Sequence, residues 1–289
     1  MFYSIEELVE QSKAYASVAE LMIATEIELT DRTREDILQL MDRNLTVMEQ
    51  SVAEGIAGVT SVTGLTGGDA TRMNEYILAG DFLSGEVILN AVRNAIGVNE
   101  VNAKMGLVCA TPTAGSAGVV PGVLMACRER LAMTRQEQLD FLFVAGAFGL
   151  VIANNASISG AEGGCQAEIG SASAMAAAAL VSAKGGSAEE SAQAVAITLK
   201  NMMGLICDPV AGLVEVPCVK RNALGSSQAF ISADMALAGI KSVIPADEVV
   251  HAMYQVGRQM PSIFKETAEG GLAMTPTGQR LTKEILEKE

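Results

Sequence analysis

The chain reads as a succession of amphipathic and apolar stretches of helical period, separated by runs rich in Gly, Ser, Thr and Pro. Ser4 followed by Glu7 has capping-box form, and Leu8, Tyr15, Val18, Leu21 and Met22 follow at helical spacing, which predicts a first helix. A second starts near Asp31 or Thr33 and carries Ile37, Leu40, Met41, Leu45, Met48 and Val52 at the same spacing, so the pair would form an amphipathic hairpin. Residues 55–71, dense in Gly and Thr, predict a loop. Helices are predicted again at 71–78, 85–96, 121–131, 135–153, 168–183, 187–203, 229–237, 245–260 and 277–286. Strand signals are scarce, and the best of them, 214–219, is interrupted by Pro217. Neither a repeat nor a linker divides the chain. The expected fold is mostly α: a single helical domain over residues 1–289, with long Gly/Ser/Pro-containing loops that carry the site.

Composition sharpens this picture. Hydrophobic residues make up 49% of the chain but aromatics only 4%, with no Trp, so the core must be built from Ala, Val, Ile, Leu and Met. So many Ala and Gly residues predict helices packed unusually close together. The longest apolar runs, 141–153 and 174–183, are shorter than the roughly 20 residues that span a bilayer, so the positive mean hydropathy of +0.31 implies a buried helical core. A net charge of −14 argues against nucleic acid and against an anionic membrane as partners. Glu6, Glu7 and Glu10 stand where the basic region of a signal peptide would lie, and the odd count of five cysteines shows no secreted pairing pattern. A cytoplasmic protein with reduced thiols is expected.

Three of those cysteines lie in turn-like contexts: Cys165 in GAEGGCQAEIG, Cys207 in GLICDPVAGLVEVPC and Cys218 in VPCVKRNALGSSQ. Three thiolates could hold an iron–sulfur cluster and leave one iron free to act as a Lewis acid. Gly163-Gly164 and Asp208-Pro209 beside them would let backbone approach a bulky group. No C-x-x-C pair occurs, and buried, inert cysteines would look the same.

The segment 154–230, which contains all three, resembles the catalytic chain of the iron–sulfur L-serine dehydratases. Two earlier segments agree: SVTGLTGGDATRMNEY (61–76) and ATPTAGSAGVVPG (110–122). The length and opening resemble the separate alpha subunit of a two-chain form. The resemblance implies that Cys165, Cys207 and Cys218 ligate a 4Fe–4S cluster, which serves as the Lewis acid for eliminating water from L-serine to give pyruvate and ammonia. It also implies a beta subunit as partner in a hetero-oligomer. Family members take a catalytic His from a Ser-Ser-His-Thr-like motif in the other domain or subunit, and no such motif occurs here. The one histidine, His251, falls on a predicted helix far from every motif, so the general base is expected from the partner. Some single-chain relatives place a cysteine near the C-terminus on the fourth iron, whereas GQRLTKEILEKE holds none. Cys109 and Cys127, outside the motifs, read as packing residues.

Substrate contacts are expected from Thr63, Thr66, Gly67 and Asp69, whose loop amides would bind the carboxylate of serine, and from Ser116 and Lys220. Each has a plain structural counterpart: a Gly/Thr turn, a helix cap, an ordinary surface charge. Lys220 and Arg221 immediately follow Cys218, and one of them would steady a thiolate or pair with the substrate carboxylate. Pyridoxal phosphate is disfavoured, because Lys104, Lys184 and Lys200 have no convincing phosphate loop beside them. The reading from another class is a non-catalytic helical iron–sulfur sensor or scaffold.

Overall fold

A computed structural model describes residues 1–287. Among these there are thirteen α-helices and no strand: α1 (Ile5–Ser12), α2 (Val18–Thr30), α3 (Arg34–Ala57), α4 (Asp69–Ala79), α5 (Glu86–Ala103), α6 (Val119–Leu131), α7 (Arg135–Asn155), α8 (Gly160–Gly163), α9 (Cys165–Ala183), α10 (Ala188–Met202), α11 (Cys218–Leu237), α12 (Ala246–Gln259) and α13 (Pro276–Leu286). The mostly α expectation holds. Caps define many of the starts. Thr33 with Asp36, Thr134 with Glu137 and Ser187 with Glu190 form reciprocal capping boxes at α3, α7 and α10.

The centre of the molecule is α9, buried at every residue from Cys165 to Val181. A helix apolar all round has to be enclosed, and α6, α7, α10, α11 and α12 pack around it. Its alanines explain how a core with few aromatics is built, because Ala172, Ala174, Ala176, Ala177, Ala178 and Ala179 are fully buried. Phe141, Phe143 and Phe148 of α7, which packs on α9, are among the largest buried side chains. α7 is long and apolar enough to cross a membrane by length and composition, but most of that stretch is covered by its neighbours. Close approach occurs where α3 meets α5: a Cβ on Gly55 would lie 2.3 Å from the Gly97 carbonyl oxygen.

Four expectations are corrected. The predicted first helix is two, because Ser17 accepts from the Glu20 amide and starts α2 afresh; Tyr15 falls in the break and is exposed. The loop expected over 55–71 is shorter, since α3 runs on to Ala57 and α4 begins at Asp69. Residues 214–219 form no strand; Cys218 opens α11 eleven residues before the predicted start at 229. Gly225, Ser226 and Ser227 weaken the helical signal there. Packing overrides it: Gly225 lies flush against Ile169 and Val119, and Ser226 and Ser227 donate to the Ala223 carbonyl. α9, likewise, begins at Cys165 rather than at 168.

Because the α3–α5 crossing has no space for a methyl group, Gly55→Ala is expected to lower the unfolding free energy by about 1–3 kcal/mol. Urea denaturation of the two proteins checks this, and an unchanged midpoint would mean the crossing is soft.

Candidate metal centre

Cys165 and Cys218 are the first residues of α9 and α11, and Cys207 lies in the segment between α10 and α11. All three are buried, with 1%, 2% and 5% exposure for Cys165, Cys207 and Cys218. Helix N-termini favour thiolates, since unpaired amides and the macrodipole offset negative charge there. Gly164 precedes Cys165 at φ +76°, a conformation that strains side-chain-bearing residues, and a Cβ on it would meet Met260 Sδ at 2.7 Å. This turn lets α9 start with its thiol facing inward. Cys207 is held on both sides by backbone: its N–H donates to the Phe264 carbonyl and its carbonyl accepts from the Glu266 N–H, each at 2.8 Å.

One ligand atom from each of Cys165, Glu168 and Cys207 fits within a mutual distance of 4.8 Å; Cys218 lies outside that trio. A hydrogen bond with Cys207, reinforced by the Arg221 guanidinium, holds the Cys165 thiol below its usual range despite burial. The same hydrogen bond, together with burial, pushes the Cys207 thiol up. Burial pushes Cys218 and the Glu168 carboxyl up as well. Arg221 is itself partly buried. It donates to Cys165 Sγ at 3.4 Å and to the Ile206 carbonyl at 2.8 Å, and it pairs with Asp208 Oδ1 at 2.7 Å. Asp208 Oδ2 in turn accepts from the Leu272 amide at 2.7 Å.

The two loops expected to meet substrate both reach the start of α11. In residues 61–69, Thr63 donates to both oxygens of buried Glu215, at 2.9 and 3.0 Å. The Asp69 and Ala70 amides donate to buried Glu100, at 2.8 and 3.2 Å. Thr66 Oγ1 is buried with no partner among the described residues. Burial works to raise the Asp69 carboxyl, but the Lys220 and Arg72 cations outweigh it and hold the group low. In residues 110–118, Thr113 donates to Glu168, while Ser116 is fully buried and donates to the Thr111 carbonyl. Asn222 of α11 ties this loop down, donating to the Gly115 carbonyl at 2.8 Å and accepting from the Gly118 amide at 3.1 Å.

Over residues 13–273 the sequence matches the family model described as serine dehydratase alpha chain. It is 63% identical over 286 residues to the probable L-serine dehydratase alpha chain of Bacillus subtilis, covering 99% of this chain and 95% of that one. It is 43% identical over 273 residues to the L-serine dehydratase alpha chain of Peptoniphilus asaccharolyticus, covering 94% and 93% respectively. L-serine dehydratase 1 of Escherichia coli is 40% identical over 210 residues, which are 71% of this chain and 46% of that longer protein. The chain belongs to the serine dehydratase alpha chain family.

In this member of the family, the residues singled out by sequence fall into two groups. Cys165 and Cys207 come together with Glu168, Cys218 stands outside that trio, and Arg221 donates to Cys165. Thr63, Thr66, Gly67, Asp69 and Lys220 form a second group, in which Lys220 pairs with Asp69 and leaves Arg221 as the cation at the thiols. Several amides expected to receive a carboxylate are engaged within the fold, those of Asp69 and Ala70 by Glu100 and that of Leu65 by Thr63 Oγ1 at 3.1 Å. Ser116 sits in its loop beneath Thr113. Cys109 is half-buried and donates to the Asn44 carbonyl, and Cys127 packs in the core, where burial pushes its thiol up to about 12. Sequence reasoning missed Glu168 and Glu266. The signal for Glu168 was its position three residues after Cys165 on a predicted helix; Glu266 reaches the site through tertiary contact alone.

Truncation of Arg221 would strand the buried Asp208 carboxylate, so Arg221→Ala is expected to cost about 3–5 kcal/mol of stability, with Arg221→Lys recovering only part of it. Anaerobic urea denaturation of the metal-free chain measures this. A loss below about 1 kcal/mol, the range of exposed ion pairs, would show that water replaces the pair.

Proposed function

We propose that this chain is the catalytic alpha subunit of an L-serine dehydratase that acts with a beta subunit in the cytoplasm, residues 1–289 forming one functional unit. The observation that supports this most directly is the set of three buried thiols supplied by three separate segments, with Cys165 and Cys207 hydrogen-bonded to each other and Cys165 also accepting from the partly buried Arg221 guanidinium. This donor set fits a 4Fe–4S cluster. Thiolate is the ligand type such clusters take, two of the three donors sit at helix N-termini, and Arg221 offsets the negative charge that bound thiolates bring into a buried site. Cys165, Cys207 and Cys218 would hold the cluster, which would supply a Lewis acid for departure of the serine hydroxyl.

The remaining chemistry falls to side chains. The exposed Lys220 ammonium binds the carboxylate of L-serine, and Asp69, already flanked by cations, orients the substrate ammonium. Thr63, Thr66 and Gly67 shape the wall around them, and Ser116 braces the neighbouring loop. The α-proton and the β-hydroxyl leave as one water, and the resulting enamine tautomerises to an imine whose hydrolysis consumes one water and releases pyruvate and ammonia. His251 of α12 is exposed and bonds to its helix neighbour Gln255, so the base that takes the α-proton comes from the beta subunit.

Anaerobic reconstitution with iron and sulfide tests this reading. About four irons and four sulfides per chain are expected, with the count collapsing in each of Cys165→Ser, Cys207→Ser and Cys218→Ser. Iron binding indifferent to all three substitutions would overturn the ligand assignment. A full cluster without serine turnover beside the beta chain would favour a sensor or scaffold.

A further inference from the structure

The carboxylate of Glu168 is the part of the site that the reading above leaves without a task. It is 8% exposed, stands one helical turn beyond Cys165, and shares the 4.8 Å trio with Cys165 and Cys207. Its two oxygens are treated differently. Oε1 is held by the hydroxyl of Thr113, whereas Oε2 accepts no hydrogen bond among the described residues. Glycine makes the space around both. A Cβ on Gly115 would lie 2.4 Å from Oε1. A Cβ on Gly160 would lie 3.0 Å from Cys207 Sγ, 3.2 Å from Glu168 Oε2 and 3.5 Å from Glu266 Oε2. One point beside Gly160 is therefore ringed by a thiol sulfur and two carboxylate oxygens, and no side chain fills it.

We propose that Glu168 is the resting fourth ligand of the cluster, its Oε2 occupying the iron that the three cysteines leave open until substrate displaces it. This rests on the cluster reading above. The spacing from Cys165 to Glu168 equals that of the paired cysteines in Cys-x-x-Cys runs, which reach neighbouring corners of one cluster from a single stretch of chain. Carboxylate oxygen is a competent ligand for iron and a harder one than thiolate, so an oxygen-bearing substrate can exchange with it. Thr113 fixes the far oxygen and so aims the near one, the arrangement by which a hydrogen bond behind a ligand sets its direction. Glu266 is the weaker candidate, since it stands outside the trio and is not pinned by a hydroxyl.

The test uses the full chain, reconstituted anaerobically and reduced, in ordinary water and in water enriched in the magnetic isotope of oxygen. Electron paramagnetic resonance then reports whether water sits on the open iron. Without substrate, the wild-type signal is expected to be unbroadened by the labelled water, and that of Glu168→Gln to be broadened. The variant is also expected to lose one iron per cluster to a brief oxidant pulse roughly tenfold faster or more. Broadening in the wild type overturns the proposal, and so does a variant indistinguishable from wild type. If Glu168→Gln fails to fold or to hold a cluster, the wild-type spectrum decides alone. An iron and sulfide count near zero in the wild type overturns this inference together with the cluster reading, whereas a full count with a broadened wild-type signal overturns this inference only.

Discussion

The arrangement around the thiols depends on one partly buried guanidinium. Arg221 is 13% exposed and Asp208 only 3%, so their attraction acts where water screens little, and neither charge could stay there alone. Through the fork of Arg221, the first turn of α11 is joined to Cys165 at the start of α9, to the carbonyl of Ile206 and to Asp208. Asp208 passes the connection to Leu272, and the backbone of Cys207 is bonded to Phe264 and Glu266. Segments far apart in the chain are thus set against one another where the Cys165 and Cys207 thiols meet. A lysine offers the charge but not the planar fork that reaches several acceptors at once.

A rigid scaffold is the second requirement, and α9 provides it. Its enclosure by surrounding helices leaves the first residue, Cys165, little freedom, because a helix packed on every side cannot tilt without opening voids. The loops over 61–69 and 110–118 contribute by being fastened to neighbouring helices and segments. Glu100 caps the start of α4, Glu215 holds Thr63, and Asn222 ties the second loop to α11. These contacts tie both connections to the helices beside them.

Much of this was legible in the sequence, though unevenly. Helical period marked nearly every helix, and Thr33, Ser187 and Ser4 marked starts that the structure keeps. Periodicity failed where local chemistry was weak and packing strong. The beginning of α11 carries two serines and a glycine in tandem, and the break after α1 contains no Gly or Pro to announce it. The resemblance to a family pointed to the three cysteines. Composition and spacing alone had left them indistinguishable from buried packing residues, since their separations along the chain carry no geometric information.

What the sequence determined by itself was the helical class, the alanine-rich core and the short list of residues able to do chemistry. These follow from local periodicity and from residue type, which need no knowledge of distant neighbours. Only the tertiary structure decided which cation serves the thiols, Arg221 and not Lys220, and that Lys220 instead meets Asp69. It alone brought Glu168 and Glu266 to the same pocket of space as Cys207, across separations of 39 and 59 residues (207 − 168 and 266 − 207). The physical reason is that charge pairing and ligand convergence depend on distance and burial, which the order of residues along a chain does not specify.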